Sequence, residues 1–359
     1  MHDIGGQQFL KSGKSKKAKI ITISVIGVVA VICLAGYLVI NGYLSKIHYD
    51  SGKQNIMSSI SPDNQSANSD SPKSEIDAMN KKIEENMRNN SKPLMYDKDV
   101  YNVLLIGSDT RTKGGTGRSD SMILISINKK TKKIVETSLL RDIYVGIPGV
   151  SEGDRLNAAY AYGGPELLLQ TVQQNFKIKV DKYICVDFFS FMDLVDKVEG
   201  VTINISDAEI EVANGYIHEI NKLKNFPSND GLFTHAGIQQ VTGRQVLGYV
   251  RIRYVGNGDF GRTDRQRTVL NQVFAKIKGL NIGQINNLLN NFLPEVTTNI
   301  SKGELFSLIL SIPAYSKYQV VSWHIPQDGV FSYFAVRKMS VLDVNFEKTI
   351  SQMQSTIYG

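Results

Sequence analysis

A run of 21 uncharged, mostly apolar residues near the N-terminus most constrains how this chain can fold. Residues 20–40 read IITISVIGVVAVICLAGYLVI, and a helix of that length spans about 31 Å, the thickness of a bilayer's hydrocarbon core. Lysines are concentrated in residues 1–19, and only Lys46 and Lys53 follow closely, so the charge bias predicts a cytoplasmic N-terminus and an extracellular remainder in contact with the lipid bilayer. A cleaved signal peptide is the alternative, but the apolar run exceeds the usual core of about 7–15 residues and no clear small-x-small cleavage site follows.

The sequence after this segment falls into two parts of different composition. Residues 41–96 are rich in Ser, Asn, Asp and Pro, as in SSISPDNQSANSDSPKSE, and predict a flexible stalk with a short polar helix at 74–90. Residues 97–359 carry the apolar patterns of a folded domain. The predicted organisation is therefore a basic cytoplasmic tail at 1–19, a transmembrane helix at 20–40, a linker at 41–96 and an extracellular domain at 97–359.

Composition and missing motifs exclude several classes of protein. Two cysteines in 359 residues cannot form a disulfide scaffold, and no CxxC or HExxH spacing predicts a zinc site. The loop KGGTGRSDS lacks the GxxxxGK[ST] pattern of a P-loop, and no GxSxG elbow is present. Of the net charge of +7, the five lysines and one aspartate of residues 1–19 supply +4. The rest of the chain is only weakly basic, so we expect no nucleic-acid partner.

Alternating apolar segments of strand and helix length indicate an α/β layered domain around a mixed sheet. Strands are predicted at 100–107, 120–127, 133–139, 201–205, 247–253 and 318–324, and helices at 158–176, 187–198, 237–246, 263–278, 283–293, 301–313 and 340–357. A polar turn joins the second strand to the third, and the link from the first to the second is too glycine-rich for a crossover helix. The first three strands therefore predict an antiparallel meander.

Two aspartates and two arginines lie at the ends of these three strands. Asp109 follows the first strand, Asp120 opens the second just after Arg118, and Arg141 follows the third. In an up-down-up meander these ends share one edge of the sheet, so we expect the side chains to converge. Two carboxylates suit Mg²⁺ or Mn²⁺, which keep coordination positions for phosphate and water. Taken alone, these residues could equally form a surface Asp–Arg network around a glycine-rich turn.

A second cluster of arginines lies in the stretch YVRIRYVGNGDFGRTDRQR, where five of the chain's 12 arginines fall within residues 251–267. Arg251 and Arg253 are two apart on a predicted strand and should point to the same face. Arg262 and Gln266 are four apart at the start of a predicted helix and should share a face there. Because the arginine fork binds phosphate oxygens bidentately and a helix N-terminus favours anions, the cluster predicts a phosphate site. A structural network is the alternative.

In order, these motifs resemble the signature blocks of the LytR–CpsA–Psr family. The matching stretches are NVLLIGSDTR, GRSDSM, SLLRD, LNAAYAYGGP, VDKVEGV and YVRIRY with GDFGRTDRQR, which together cover residues 101–274. The chain has Leu139 and Leu140 where the family usually has Ile-Pro, and Glu199 before Gly200 where Gly-Gly is frequent. Neither departure removes a charged residue of the predicted site.

The resemblance implies a membrane-anchored phosphotransferase. Family members move a glycopolymer, such as wall teichoic acid or capsule, from a polyprenyl-pyrophosphate carrier onto a peptidoglycan hydroxyl and release polyprenyl phosphate. The resemblance also implies that residues 97–359 form the catalytic domain, a three-layer α/β/α sandwich around a mixed, largely antiparallel sheet. An apolar pocket for the polyprenyl chain is expected, and residues 158–192 are candidates for its lining.

The resemblance further implies a role for each site residue. Asp109 and Asp120 are expected to hold Mg²⁺, for which Mn²⁺ can substitute. Phosphate oxygens are expected to be bound by Gln266 and five arginines, namely Arg118, Arg141, Arg251, Arg253 and Arg262. The candidate catalytic residues are Arg141, Asp120 and Asp259, the two aspartates being the nearest candidates for a general base.

A non-enzymatic sensor of anionic wall polymer or lipid pyrophosphate is the alternative function. The aspartate pair argues against it, because a pure anion binder gains nothing from carboxylates among its arginines. A lipid pyrophosphatase would differ from the transferase only in using water as the acceptor.

Overall fold

The structure is a computed structural model that describes residues 34–50, 71–88, 93–110 and 117–359. The chain divides into two compact units, Met1–Lys46 and Ile47–Gly359. In the first unit, residues 34–44 are helical (α1), and most of the predicted membrane segment lies outside the described residues. No helix within the described ranges is both long and apolar enough to cross a membrane.

The second unit is built on a seven-stranded sheet. In spatial order its strands are β1 (His48–Tyr49), β10 (Thr297–Thr298), β7 (Lys182–Asp187), β2 (Val100–Ser108), β3 (Ser119–Asn128), β4 (Lys133–Leu139) and β11 (Gln319–Ile325). The pairs β10–β7, β2–β3 and β3–β4 are antiparallel, whereas β1–β10, β7–β2 and β4–β11 are parallel. The mixed sheet and the β2–β3–β4 meander are confirmed. The expected antiparallel majority is wrong, because β7 and β11 reach their neighbours through long connections that allow parallel pairing.

The remaining elements of the described chain form small sheets and helices around this sheet. Three two-stranded sheets pair β5 (Tyr144–Val145) with β6 (Asp154–Arg155), β8 (Val201–Ile205) with β9 (Gly237–Val241), and β12 (Phe331–Val336) with β13 (Met339–Val344). The helices are α2 (Lys73–Arg88), α3 (Ala158–Phe176), α4 (Phe188–Lys197), α5 (Asp207–Lys224), α6 (Gly243–Tyr249), α7 (Gly258–Lys278), α8 (Ile282–Phe292), α9 (Lys302–Tyr315) and α10 (Phe346–Tyr358), with a 3-10 turn at Leu293–Glu295.

Alternate side chains of the central strands face two different helical layers. Leu104 and Leu124 are completely buried in the main core, to which α3 and α10 also contribute. Their neighbours Leu105 and Ile123 line an apolar cavity on the other side, together with side chains from α4 and α7. Because side chains alternate along a strand, helices cover both faces of the sheet.

The predicted helix at 237–246 and strand at 247–253 are wrong. Residues 237–241 form strand β9, and α6 begins directly after Thr242. The Thr242 hydroxyl accepts a hydrogen bond from the backbone N–H of Gln245, and the Gln245 side chain accepts one from the backbone N–H of Thr242. This capping box starts a helix at a point where the alternation in LGYVRIR had suggested a strand.

The predicted C-terminal helix at 340–357 begins later than expected. Met339–Val344 pairs with β12 as a hairpin, and α10 starts only at Phe346. Arg337 and Lys338 at the hairpin turn have φ values of +50° and +59°. Positive φ at both central residues is the type I′ geometry that usually requires Asn or Gly, so the sequence carried no ordinary turn signal here.

One helix of the predicted linker packs on the folded unit. Helix α2 agrees closely with the polar helix predicted at 74–90. Its Met79 and Ile83 are buried in the main core, and the Asn80 side chain accepts a hydrogen bond of 3.0 Å from the Tyr144 hydroxyl. This part of the linker therefore contributes apolar side chains to the core, which its polar composition had not indicated.

Candidate functional site: an arginine and aspartate cluster beside an apolar cavity

The ends of the three meander strands meet at one edge of the sheet, as predicted. Asp120 is the second residue of β3, and Arg141 lies two residues beyond the end of β4. The Arg141 Nη1 atom lies 2.6 Å from Oδ1 of Asp120. The meander therefore brings together two charged residues that are 21 positions apart in the sequence.

Asp120 is held by two buried guanidiniums. Besides Arg141, Nη2 of Arg262 lies 3.0 Å from the second carboxylate oxygen. Burial raises the pKa of Asp120, but the charges and hydrogen bonds of these two arginines outweigh burial and hold the pKa well below its usual range. The side-chain amide of Asn157 also donates to the carboxylate, at 3.4 Å. Asp120 is therefore ionised at neutral pH.

Helix α7 presents its predicted face to the same strand. Arg262 Nη2 and Gln266 Nε2 both donate to the backbone carbonyl of Asp120, at 2.9 and 3.4 Å. The two donors are one helical turn apart, which explains why both reach one acceptor. Arg262 and Gln266 thus share one face of α7, as predicted, and the structure brings that face beside Asp120.

Two further aspartates, Asp142 and Asp259, share Arg253. The Arg253 guanidinium lies 3.3 Å from Asp142 and 3.0 Å from Asp259, and Arg141 Nε lies 3.7 and 3.6 Å from the same two carboxylates. Arg155 contacts Asp142 at 3.1 Å. Burial and the neighbouring Asp259 raise the pKa of Asp142 to about 7, against the opposing charges of Arg141 and Arg155. The cluster therefore contains one carboxylate that stays ionised, Asp120, and one carboxyl group whose pKa is raised, Asp142.

Arg262 has donors left for an additional acceptor. Its Nε and Nη1 groups are buried and make no hydrogen bond to any part of the chain that the structure describes. Its Nη1 atom lies 3.7 Å from the carboxylate of Asp259. Buried N–H groups normally have a partner, and a phosphate oxygen suits a guanidinium best. Arg262 therefore retains two buried N–H groups that could donate to a further acceptor oxygen.

Arg251 borders the cluster without sharing its partners. Its Nη2 atom lies 2.9 Å from Glu219, and its guanidinium lies 4.4 Å above the ring of Tyr216. Arg253 instead contacts Asp142 and Asp259, so the two arginines do not point to one face. The predicted strand through them is absent, because α6 ends at Tyr249 and the chain then turns.

Asp109 and Arg118 close the loop between β2 and β3. The backbone N–H of Asp109 donates to the carbonyl of Arg118 at 3.0 Å, and the backbone N–H of Arg118 donates to the Asp109 carboxylate. Residues 111–116 between them lie outside the described ranges. The Asp109 carboxylate and the ionised Asp120 thus flank one loop.

The available ligands limit what kind of metal site this can be. Within the residues that the structure covers, no group of three or more His, Cys, Asp and Glu side chains could hold a metal ion. Magnesium, however, is commonly bound by one or two carboxylates together with substrate phosphates. Asp109 and Asp120 alone do not form a complete protein cage, so a metal ion held by these two carboxylates would also need phosphate oxygens as ligands.

An apolar cavity of about 350 Å³ adjoins the cluster. Its lining includes Leu105, Ile123, Phe188, Phe191, Leu270 and Phe274. Gln266 also lines it, and the same side chain reaches the Asp120 carbonyl. Of the predicted lining range 158–192, only the end contributes, and most of the wall comes from the sheet and from helices later in the chain.

Sequence reasoning missed Asp142, Arg155 and Asn157. Asp142 directly follows Arg141 in the quoted motif LLRD, so it was visible as the neighbour of a predicted site residue. Arg155 is completely buried beside it, and Asn157 precedes α3. A fully buried arginine needs a counter-charge, but burial could not be read from the polar stretch GDRLN.

Comparison with known proteins identifies the family. The model of the LytR_cpsA_psr family matches residues 61–352. The chain belongs to this family. A relative from Enterococcus faecalis, named polyisoprenyl-teichoic acid–peptidoglycan teichoic acid transferase TagU, is 32% identical over 261 residues, which cover 70% of this chain and 80% of that protein.

Two more similar proteins extend the comparison. Biofilm regulatory protein A from Streptococcus mutans is 37% identical over 222 residues, which cover 58% of this chain and 52% of that protein. The chain thus spans about half the length of this relative. The solved structure of YwtF (TagT) from Bacillus subtilis, described with bound octaprenyl pyrophosphate lipid, is 26% identical with a TM-score of 0.54, covering 74% of this chain and 94% of that one.

Proposed function

We propose that this protein is a membrane-anchored phosphotransferase that moves a glycopolymer from a polyprenyl-pyrophosphate carrier onto a peptidoglycan hydroxyl. The observation that carries the proposal is the contact between the arginine cluster and the apolar cavity through Gln266. A ligand that fills both must combine a strongly anionic head with a hydrocarbon chain. The transferase name of TagU and the lipid described with TagT support the same substrate class.

The arginines of the cluster would neutralise the diphosphate. In the proposed reaction the acceptor hydroxyl oxygen bonds to the phosphorus that carries the glycopolymer, and the bond from that phosphorus to the bridging oxygen breaks. Negative charge therefore grows on the departing polyprenyl phosphate. Arg141, Arg253 and Arg262 are already fixed by carboxylates, so they can stabilise this charge without reorganising. Gln266 extends the phosphate site toward the cavity, and we assign Arg118, at the loop between β2 and β3, to the phosphate contacts as well.

Asp109 and Asp120 would hold a magnesium ion in this site. When bound, the ion would supply positive charge to the pyrophosphate oxygens. The strong pairing of Asp120 with Arg141 and Arg262 also positions these arginines relative to the metal ligand. Manganese fits the same oxygen ligands.

The acceptor's proton needs a base, and the carboxyl pair Asp142 and Asp259 suits this role better than Asp120. The pKa of Asp120 lies well below its usual range, which makes it a weak base, whereas that of Asp142 is raised to about 7. Asp259 is the more exposed member of the pair, so we assign proton acceptance to Asp259 with Asp142 beside it. Arg141 completes the catalytic group.

The proposed lipid-linked donor substrate determines where the catalytic domain must lie. A polyprenyl carrier stays in the bilayer, and peptidoglycan lies outside the cell membrane. The apolar segment 20–40 would anchor the protein with a cytoplasmic N-terminus and an extracellular catalytic domain. This arrangement keeps the site close to both substrates.

Arg262→Ala tests the proposal directly. The purified full-length chain in detergent is assayed with a polyprenyl-pyrophosphate-linked glycopolymer, peptidoglycan and Mg²⁺, and released polyprenyl phosphate is measured. Loss of one preorganised donor to a developing negative charge should lower turnover about 10²–10³-fold. Arg337→Ala is the matched control, since Arg337 pairs with Glu152 and Asp154 rather than with the site residues. Undiminished turnover in Arg262→Ala would reject the assigned site.

A sensor is the second candidate function, favoured by the name Biofilm regulatory protein A of one relative. A sensor would bind a lipid pyrophosphate through the same arginines without consuming it. Binding that survives a chelator unchanged, with no polyprenyl phosphate released on adding peptidoglycan and Mg²⁺, would favour the sensor over the transferase.

A further inference from the structure

Helix α9 is strongly apolar, yet none of its residues is buried. Its sequence is KGELFSLILSIPAY. The side chains of Leu310 and Ile312 are 62% and 52% exposed, and Ile309 beside them is also exposed. A helix on the surface of a soluble domain normally turns such residues inward, and a cluster of them outside marks an interaction surface.

The ends of α9 carry the side chains that anchor helices at membrane surfaces. Lys302 begins the helix, and Lys317 lies two residues beyond its end. The rings of Tyr315 and Tyr318 pack together at the same end, with centroids 5.4 Å apart. Glu304, the acidic residue of the helix, is neutralised by Lys182 at 2.9 Å. Lysine and tyrosine around an apolar face are typical of a helix that lies in a bilayer interface.

The position of α9 in the fold also points to lipid. Leu305 on α9 and Ile47 both line the apolar cavity. Ile47 is seven residues from Ile40, where the predicted membrane segment ends. It precedes β1, which pairs with β10, and α9 begins four residues after β10. The start of the folded unit, the cavity wall and α9 therefore meet at one edge of the sheet.

We propose that the face of α9 formed by Ile309, Leu310 and Ile312 seats on the outer surface of the lipid bilayer. This contact aligns the cavity beside Leu305 with the lipid phase, so that a chain can pass between them. The inference deepens the proposed function, on which it rests for the identity of the cavity's occupant. The membrane contact itself can be measured without any turnover.

A fluorescent label at position 310 tests the contact. The full-length chain with Cys33→Ser, Cys185→Ser and Leu310→Cys is labelled with an environment-sensitive dye and placed in lipid nanodiscs. Ile238→Cys provides the matched control, because Ile238 is an apolar residue that is 77% exposed on the separate β8–β9 sheet. We expect a blue-shifted emission at position 310 that lipids carrying a doxyl quencher largely abolish, and neither effect at position 238.

Two results would overturn the proposal. A water-like, unquenched label at position 310 would mean that α9 faces solvent. A blue-shifted label that lipid quenchers do not reach would mean that another protein, or a second copy of this chain, covers α9.

A substitution that introduces a charge on α9 tests the membrane contact separately from the proposed transferase activity. Leu310→Glu should lower turnover of a long-chain carrier in nanodiscs but leave that of a water-soluble, short-chain pyrophosphate unchanged. If Leu310→Glu turned over the long-chain carrier as fast as the wild-type chain does, this result would contradict a role of α9 in donor access. If the wild-type chain turns over neither substrate, the transferase assignment fails, while the quenching result still decides the membrane contact.

Discussion

Asp120→Asn should strongly destabilise the folded unit, because it removes the counter-charge that two buried guanidiniums share. The side chains of Arg141 and Arg262 are 6% and 3% exposed and lie 2.6 and 3.0 Å from the carboxylate. Removing one partner of a buried ion pair costs about 3–5 kcal/mol. Asn keeps one oxygen as an acceptor, and Asp142 and Asp259 still offset part of the arginine charge, so we expect the lower end, about 3 kcal/mol.

The assay is thermal unfolding of the purified full-length chain in detergent. The entropy of unfolding is about 2.1 cal/mol/K per residue, so 1 kcal/mol shifts the midpoint of a unit as long as Ile47–Gly359 by about 1.5 °C. Asp120→Asn should therefore lower the midpoint by about 4–5 °C. Glu84→Gln is the control, since it breaks a pair with Arg88 whose side chains are 55% and 79% exposed. Exposed helix pairs contribute only about 0.3–0.5 kcal/mol.

The stability contributed by Asp120 should also depend on pH in a predictable direction. The folded-state pKa of Asp120 is depressed, so its stabilisation is present above the ordinary pKa of aspartate and is lost as the pH falls below it. The wild-type chain and Asp120→Asn should therefore converge in stability in acid. A midpoint for Asp120→Asn indistinguishable from that of Glu84→Gln at neutral pH would refute the reasoning.

Four further predictions concern proton binding, the arginines, the cavity and the metal. The pKa of Asp142 is raised to about 7, so the folded state keeps a proton that the unfolded chain releases near pH 4. The free energy of unfolding should therefore decrease as the pH rises between these two values. Asp142→Asn should make this decrease smaller, as measured by thermal melts at several pH values. Arg253→Ala should lower kcat/KM by about 10²-fold, whereas Arg251→Ala, which loses contacts outside the central cluster, should cost less than about tenfold. Leu270→Trp should fill part of the cavity and weaken binding of long-chain but not short-chain pyrophosphates, while Leu223→Trp on the exposed side of α5 should not, as measured by titration calorimetry. A chelator should abolish turnover in the transfer assay, and added Mg²⁺ should restore it.

The core of the fold was predictable because its signals are local. The apolar runs of β2, β3 and β4 and the polar turn after Asn128 specify the meander without any long-range information. The convergence of Asp120 with Arg141 then follows from strand direction alone. The spacing of Arg262 and Gln266 likewise predicted their shared face, because four residues make about one helical turn.

The features that the sequence did not predict depend on contacts between distant parts of the chain. Whether Arg251 and Arg253 point together depends on the backbone after α6, and a capping box rather than side-chain alternation sets that backbone. The raised pKa of Asp142 depends on its burial among arginines from distant parts of the chain. The cavity wall is assembled from the sheet and several helices, so no single stretch of sequence predicts it.

A crystal structure of the full-length chain with a polyprenyl diphosphate would test the central claim most directly. We predict that the diphosphate oxygens accept hydrogen bonds from Nε and Nη1 of Arg262 and that the hydrocarbon chain enters the cavity past Gln266. A diphosphate bound elsewhere on the protein, or a chain lying outside the cavity, would contradict the account.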